Sequence, residues 1–138
     1  MKRSRLLITV TVLLLAITAY GQKVKPGNVV SIHEIEFTLE DGMTFSQLEK
    51  LYLEEYIPAI EKNFPGAEFH LLIGERGKRT GKYIEFLVFD SLEERNRWFP
   101  EKGKTSEEAK KGFDNMREIQ DRMSKMASSV SFTDYVVQ

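Results

Sequence analysis

The chain has 138 residues, 20 basic against 21 acidic side chains, a formal net charge of −1 and no cysteine. The lack of cysteine excludes disulfides, thiolate nucleophiles and Cys-ligated metal centres, and the near-neutral balance offers nucleic acid or an anionic membrane no attractive field. The length gives room for one domain, and no internal repeat or Pro-, Gly- or Ser-rich stretch divides it.

The first predicted element is a targeting segment. MKRSR is a basic head, and LLITVTVLLLAIT, Leu6 to Thr18, is an apolar run of signal-peptide length, shorter than the ~20 residues a spanning helix needs. Ala19-Tyr20-Gly21 supplies the small-x-small pattern that predicts cleavage before Gln22; retention as a membrane anchor is the alternative. Loss of residues 1–21 removes Lys2, Arg3 and Arg5 and takes the formal charge from −1 to −4. The expected destination is the periplasm or the exterior, with no membrane association after cleavage and no nucleic-acid partner. Residues 22–28 read as a short polar linker, and 29–138 as the domain.

VVSIHEIEFTL, Val29 to Leu39, alternates and is rich in β-branched residues, which predicts a strand ended by Asp41-Gly42. Thr44 and Gln47 have capping-box spacing. The stripe Phe45, Leu48, Tyr52, Tyr56, Ala59, Ile60 then predicts a helix to about Phe64, with Pro58 bending it near Ile57. Pro65-Gly66 closes it. AEFHLLIGERGKRTGKYIEFLVFD reads as a hairpin of two strands with a basic, glycine-rich tip. If its purely apolar positions share a face, Phe69, Leu71 and Ile73 oppose Val88, Phe86 and Ile84. Glu68, His70 and Leu72 then share the other face with Phe89, Leu87 and Glu85.

Ser91 with Glu94 predicts a capped helix start at FDSLEERNRWFP, ended by Pro100 and Gly103. In that turn Leu92 and Trp98 or Phe99 are expected under the sheet, with Glu93, Glu94, Arg95 and Arg97 solvated. Thr105 with Glu108 caps a third helix whose buried stripe is Ala109, Phe113, Met116, Ile119, Met123 and Met126. SSVSFTDYVVQ closes the chain as a fourth strand. The order is that of an α+β, ferredoxin-like βαββαβ sandwich: a four-stranded antiparallel sheet with helices on one face. Apolar residues on its second face predict a cover, and a second copy packed sheet to sheet provides one, giving a homodimer that encloses a barrel.

The IHEIEFTLEDG opening, the helix ending EYIPAIEKNFPG and the FDSLEERNRW junction, in this order of elements, resemble the NIPSNAP-type branch of the dimeric α/β-barrel superfamily. The likeness runs over most of residues 30–138. That superfamily contains cofactor-independent monooxygenases, haem-degrading and haem-binding enzymes, and proteins of no known activity, so fold kinship does not choose among them. Haem-degrading relatives use an Asn on the first strand, a Trp, and a His on the helix after the third strand. Here SIHEIEFT has no Asn and SLEERNRWFP no His, so that triad is not carried over.

The candidate site is the mixed face. With Ile35 and Phe37 toward the helices, Glu34 and Glu36 point into the interior, where His70, Glu85 and Tyr83 are expected beside Leu72, Leu87 and Phe89. His70 with Glu85 is the expected proton-moving pair, and the other residues line a space for a small, largely apolar molecule. His33, on the opposite face of the strand, reads as a core or edge residue. No metal or cofactor motif is present, and neither is predicted. Three functions follow: binding of a small apolar ligand, cofactor-independent oxygenase chemistry, or an interaction module with a packed interior.

Overall fold

The computed structural model describes residues 24–100 and 104–138. The expected signal peptide and its cleavage point, and Gly103, lie outside the described residues. Among those described, no helix is long and apolar enough to cross a membrane. The elements run β1 (Val29–Phe37), α1 (Phe45–Leu51), a π-helical turn (Tyr52–Tyr56), α2 (Ile57–Asn63), β2 (Ala67–Ile73), β3 (Tyr83–Phe89), α3 (Leu92–Trp98), α4 (Glu107–Asn115), α5 (Arg117–Met126) and β4 (Ala127–Val136). The strands pair in the order β2-β3-β1-β4, every neighbour antiparallel. Each helical connection therefore crosses one intervening strand, the split βαβ arrangement of a ferredoxin-like α+β sandwich.

Local chemistry explains where the helices begin. Thr44 and Gln47 form the full reciprocal box, each side chain taking a backbone N–H of the other. Ser91 Oγ accepts from Glu94 N–H at 3.0 Å. The third cap is Ser106, one residue beyond the expected Thr105; its hydroxyl accepts from Ala109 N–H at 3.0 Å. That choice puts Glu107 and Glu108 in the first turn, where the exposed N–H groups favour negative charge.

Pro58 acts as the sequence predicts, through a specific geometry. In an α-helix its ring would clash with the carbonyl of residue 54 and its nitrogen would donate nothing. The helix widens just before it into a π turn, in which Ile57 N–H reaches back to the Tyr52 carbonyl. Tyr52 and Tyr56 lie side by side there, ring centroids 5.0 Å apart, and Tyr52 is almost fully buried. The core fills the space between the helices and one sheet face. Phe64 and Trp98 meet edge-on at 5.1 Å, and Ala109, Met116, Met123 and Met126 close it from α4 and α5. The chain start is docked rather than loose: buried Asn28 donates to the Asp90 carbonyl at 3.0 Å and accepts from Lys25 N–H at 2.8 Å.

The β2–β3 register differs from the expected one by a single residue. Ala67 pairs with Phe89, Phe69 with Leu87, Leu71 with Glu85 and Ile73 with Tyr83. Because side chains alternate, that slip moves the whole of β3 to the other face: Tyr83, Glu85, Leu87 and Phe89 point toward the helices, and Ile84, Phe86 and Val88 away. Two local features decide it. At the hairpin base Gly74 N–H donates to the Lys82 carbonyl at 2.9 Å and Gly81 N–H to Gly74 at 2.7 Å. Gly74 permits this because a Cβ there would stand 1.8 Å from the Arg79 carbonyl. The second feature is Tyr52, whose hydroxyl donates to Glu85 and so lets a carboxyl face the core. Both faces of β3 are apolar, so apolarity alone does not choose between them.

On β1 the alternation is as read: Ile35 belongs to the core and Phe37 packs against it, with Val29, Ser31 and His33 on the same face. β4 follows β1 from Val136 to Ser131, then skips Val130 at a bulge and resumes at Ser129. The opposite sheet face carries Val30, Ile32, Ile84, Phe86 and Val88, none of which joins the helix-packed core.

Candidate functional site

The slip in β3 divides the expected site. Glu34, Glu36, His70 and Leu72 lie on the sheet face turned away from the helices; Tyr83, Glu85, Leu87 and Phe89 lie on the face toward them. His70 sits across from Phe86, and Glu85 across from Leu71 and His33, so the His70–Glu85 pair does not form. Each outer residue has an ordinary environment. Glu34 pairs with Arg79 of the hairpin, Glu36 is exposed, His70 Nε2 is 3.6 Å from Glu68, and Leu72 is 46% exposed. Tyr83 donates to Glu49 at 2.7 Å, a bond that raises its pKa.

On the helix side a different set converges. β1 presents Ser31 and His33, β4 presents Phe132 and Asp134 across from them, and α3 brings Arg95 over the same patch. These residues, with Leu87, Phe89, Phe99 and Pro100, line a cavity of about 190 Å³ between sheet and α3. Buried Ser31 donates from Oγ to Asp134 Oδ1 at 2.5 Å and lies 2.9 Å from His33 Nε2. Since the hydroxyl proton is given to the carboxylate, Nε2 of His33 carries a proton and Nδ1 of the neutral ring is the acceptor. Burial lowers the His33 pKa against the opposing pull of Asp134, so the ring is uncharged at neutral pH. Arg95 Nε stands 3.5 Å from Asp134 Oδ2, and its Nη1 donates to the Phe99 carbonyl at 3.2 Å. Arg95 is therefore a site residue, not the solvated one expected. Phe132, stacked on His33 with centroids 5.3 Å apart, is 63% exposed and forms the mouth.

The cluster contains Ser, His and Asp without being a nucleophilic relay. Such a relay needs the serine proton on the imidazole and the carboxylate behind the imidazole; here the carboxylate holds the serine.

A second cavity of about 210 Å³ adjoins it and shares His33, Leu87 and Phe99 with the first. It adds Glu85, Tyr56, Gln120 and a wall of phenylalanines. Burial raises the Glu85 pKa, partly offset by the bond from Tyr52. Both Tyr52 and Tyr56 are raised too, mainly by burial, so both phenols stay protonated. The π turn aims Tyr52 at Glu85, while Tyr56 donates to Gln120 Oε1 at 3.4 Å. Of the residues read from sequence, Glu85, Leu87 and Phe89 belong to this double cavity. His33, Ser31, Arg95 and Asp134 were missed. For the first two a signal was present: a serine and a histidine in step with core residues Val29 and Ile35 are polar groups on a face that helices cover.

No protein-family model matches the sequence, and no curated protein matches it. Among solved structures, MupZ from Pseudomonas fluorescens is 14% identical with a TM-score of 0.45, over 79% of this chain and 71% of that one. A dimeric protein of unknown function and ferredoxin-like fold from Bacteroides fragilis NCTC 9343 is 17% identical with a TM-score of 0.44, over 80% of this chain and 96% of that one.

Proposed function

We propose that this protein is an exported homodimer of the NIPSNAP-like, dimeric α/β-barrel kind that binds a small, largely apolar molecule. The ligand is assigned to the cleft between sheet and helices, not to a space between two sheets. One observation carries this reading: two adjoining cavities, of about 190 and 210 Å³, with mainly apolar walls and a set of ordered polar groups where they meet. Together they reach the lower end of the ~300–1,000 Å³ typical of ligand pockets. A native mass spectrum of the protein purified from the cell envelope tests it. A bound organic mass, or saturable shifts of the His33 and Phe132 resonances on adding benzyl alcohol, is the expected result; neither, in repeated preparations, would sink it. The homodimer rests on the outer sheet face, where Leu72 and Tyr135 are exposed and Ile32, Ile84 and Phe86 partly so, apolar groups that the described helices leave uncovered.

A second reading is favoured by His33. A neutral imidazole at the junction of both cavities, with Nδ1 available as an acceptor, is suited to take a proton from an electron-rich substrate, as cofactor-independent oxygenase chemistry requires. That reading predicts that His33→Ala abolishes turnover while binding persists.

A further inference from the structure

We infer that the second cavity is a site for an organic ammonium group: the ligand is a small amine whose charged nitrogen lies against Glu85 and whose apolar part extends past Leu87 toward the Phe132 mouth. This rests on the ligand-binding reading above and names the ligand's chemical class.

The argument starts from charge. Glu85 is a partly buried carboxyl on the helix side of the sheet, and among the described residues its hydrogen-bond partner is the neutral Tyr52 phenol. Among the described residues that line the cavity there is no lysine or arginine. Arg95, the nearest base of the adjoining cavity, is paired with Asp134. An ionised carboxylate in such a place is disfavoured by the loss of water unless a cation joins it. Without one it holds a proton, in keeping with the upward displacement that burial produces. The site is thus built for a positive charge that the chain does not supply.

The walls make the same selection independently. Tyr56, Phe64, Phe69, Phe99 and Phe113 line this cavity with Glu85, and the rings of Phe64, Phe99 and Phe113 are within 4.8 to 6.4 Å of one another. Aromatic rings around such a position attract a cation through their quadrupoles. A neutral apolar ligand would use the rings but not the carboxyl; an anion would be repelled by the carboxyl and by the rings. Gln120 Oε1 and the acceptor Nδ1 of neutral His33 are further groups that accept hydrogen bonds, matching an ammonium's three donors. The other titratable groups facing Glu85 are His33 from β1 and Tyr52 and Tyr56 from the π turn, all uncharged at neutral pH. Binding of an ammonium therefore ionises Glu85 and releases its proton, and affinity rises with pH until the amine itself loses its charge.

The test is calorimetric titration of the purified protein with benzylamine and with its uncharged isostere benzyl alcohol, between about pH 5 and 8. The expected result is at least tenfold tighter binding of benzylamine at the upper end, an affinity that climbs with pH, and proton release. Glu85→Gln should remove the preference and keep the alcohol. Equal affinities for the two compounds, or an amine affinity independent of pH, would overturn the ammonium site and leave the apolar cavity standing. Failure of both compounds to bind would overturn the cavity reading as well. The comparison of the two compounds on the unaltered protein decides the matter even where the variant does not fold.

Discussion

Glu85 is where the chemistry of a single residue has the widest consequences. Its bond from Tyr52 holds it on the core side of the sheet, and burial raises its pKa. With the folded-state value above the unfolded one, its contribution to stability is complete below its ordinary 4.5 and is lost as pH climbs through the raised value. His33 runs the other way. Its folded-state value is lowered, so its contribution is complete above the ordinary 6.5 and is lost as pH falls through the lowered value. Glu85→Gln keeps an acceptor for Tyr52 and deletes the first dependence. The variant's melting temperature, minus that of the parent, should therefore rise from about pH 5 to about pH 8, by an amount equivalent to about 1.4 kcal/mol per unit of displaced pKa. A difference that stays flat would mean that Glu85 ionises as it does in water. Truncation of Trp98, nearly fully buried against Phe64, should cost about 3–5 kcal/mol in denaturant unfolding.

Among the elements, the β2–β3 hairpin decides most. Gly74 is the position at which Arg79's carbonyl approaches closest, and a methyl group there would overlap it at 1.8 Å. Gly74→Ala should lower the unfolding free energy by about 2 kcal/mol or more, since relief requires the Arg79 backbone to move. Lys78→Ala, an exposed change on the same loop, should stay within about 0.5 kcal/mol. Equal midpoints for the two variants in urea would show that Gly74 does not fix the register. The π turn is the other element with functional weight. A regular α-helix cannot carry Pro58 unstrained, and the widened turn places Tyr52 against Glu85 and Tyr56 along the second cavity. Wide turns of this kind are frequent at functional sites for this reason: they re-aim side chains without ending the helix.

At the scale of the molecule, the sheet divides two roles. One face, with the helices, encloses the cavities; the other carries Ile32, Ile84 and Phe86, outside the helix-packed core, beside Glu34, Glu36 and His70. Phe86 lies on that outer face, outside the helix-packed core. Phe86→Glu should therefore leave the fold intact, as judged by its circular dichroism, and convert a dimer to a monomer in sedimentation velocity at micromolar concentration. A parent protein that sediments as a monomer at that concentration would remove the homodimer from the proposal. The cavities lie within one chain, so ligand binding should survive the loss of dimerisation.

By itself the sequence determined the order of elements, two of three helix caps, the effect of Pro58, the buried stripe of α4 and α5 and the faces of β1. These are local matters: side-chain periodicity, hydroxyl-to-amide spacing and a missing N–H act within a few residues. Only the tertiary structure decided which way β3 faces, because Ile84, Phe86 and Val88 are as apolar as Leu87 and Phe89. The choice between them depends on Gly74 admitting the carbonyl of Arg79, five residues further along the loop. It depends equally on Tyr52, in another element, giving Glu85 a partner. The site inherited that uncertainty. Asp134 meets Ser31 across 103 positions, after a bulge that skips Val130, and no pattern along a single strand announces such a meeting.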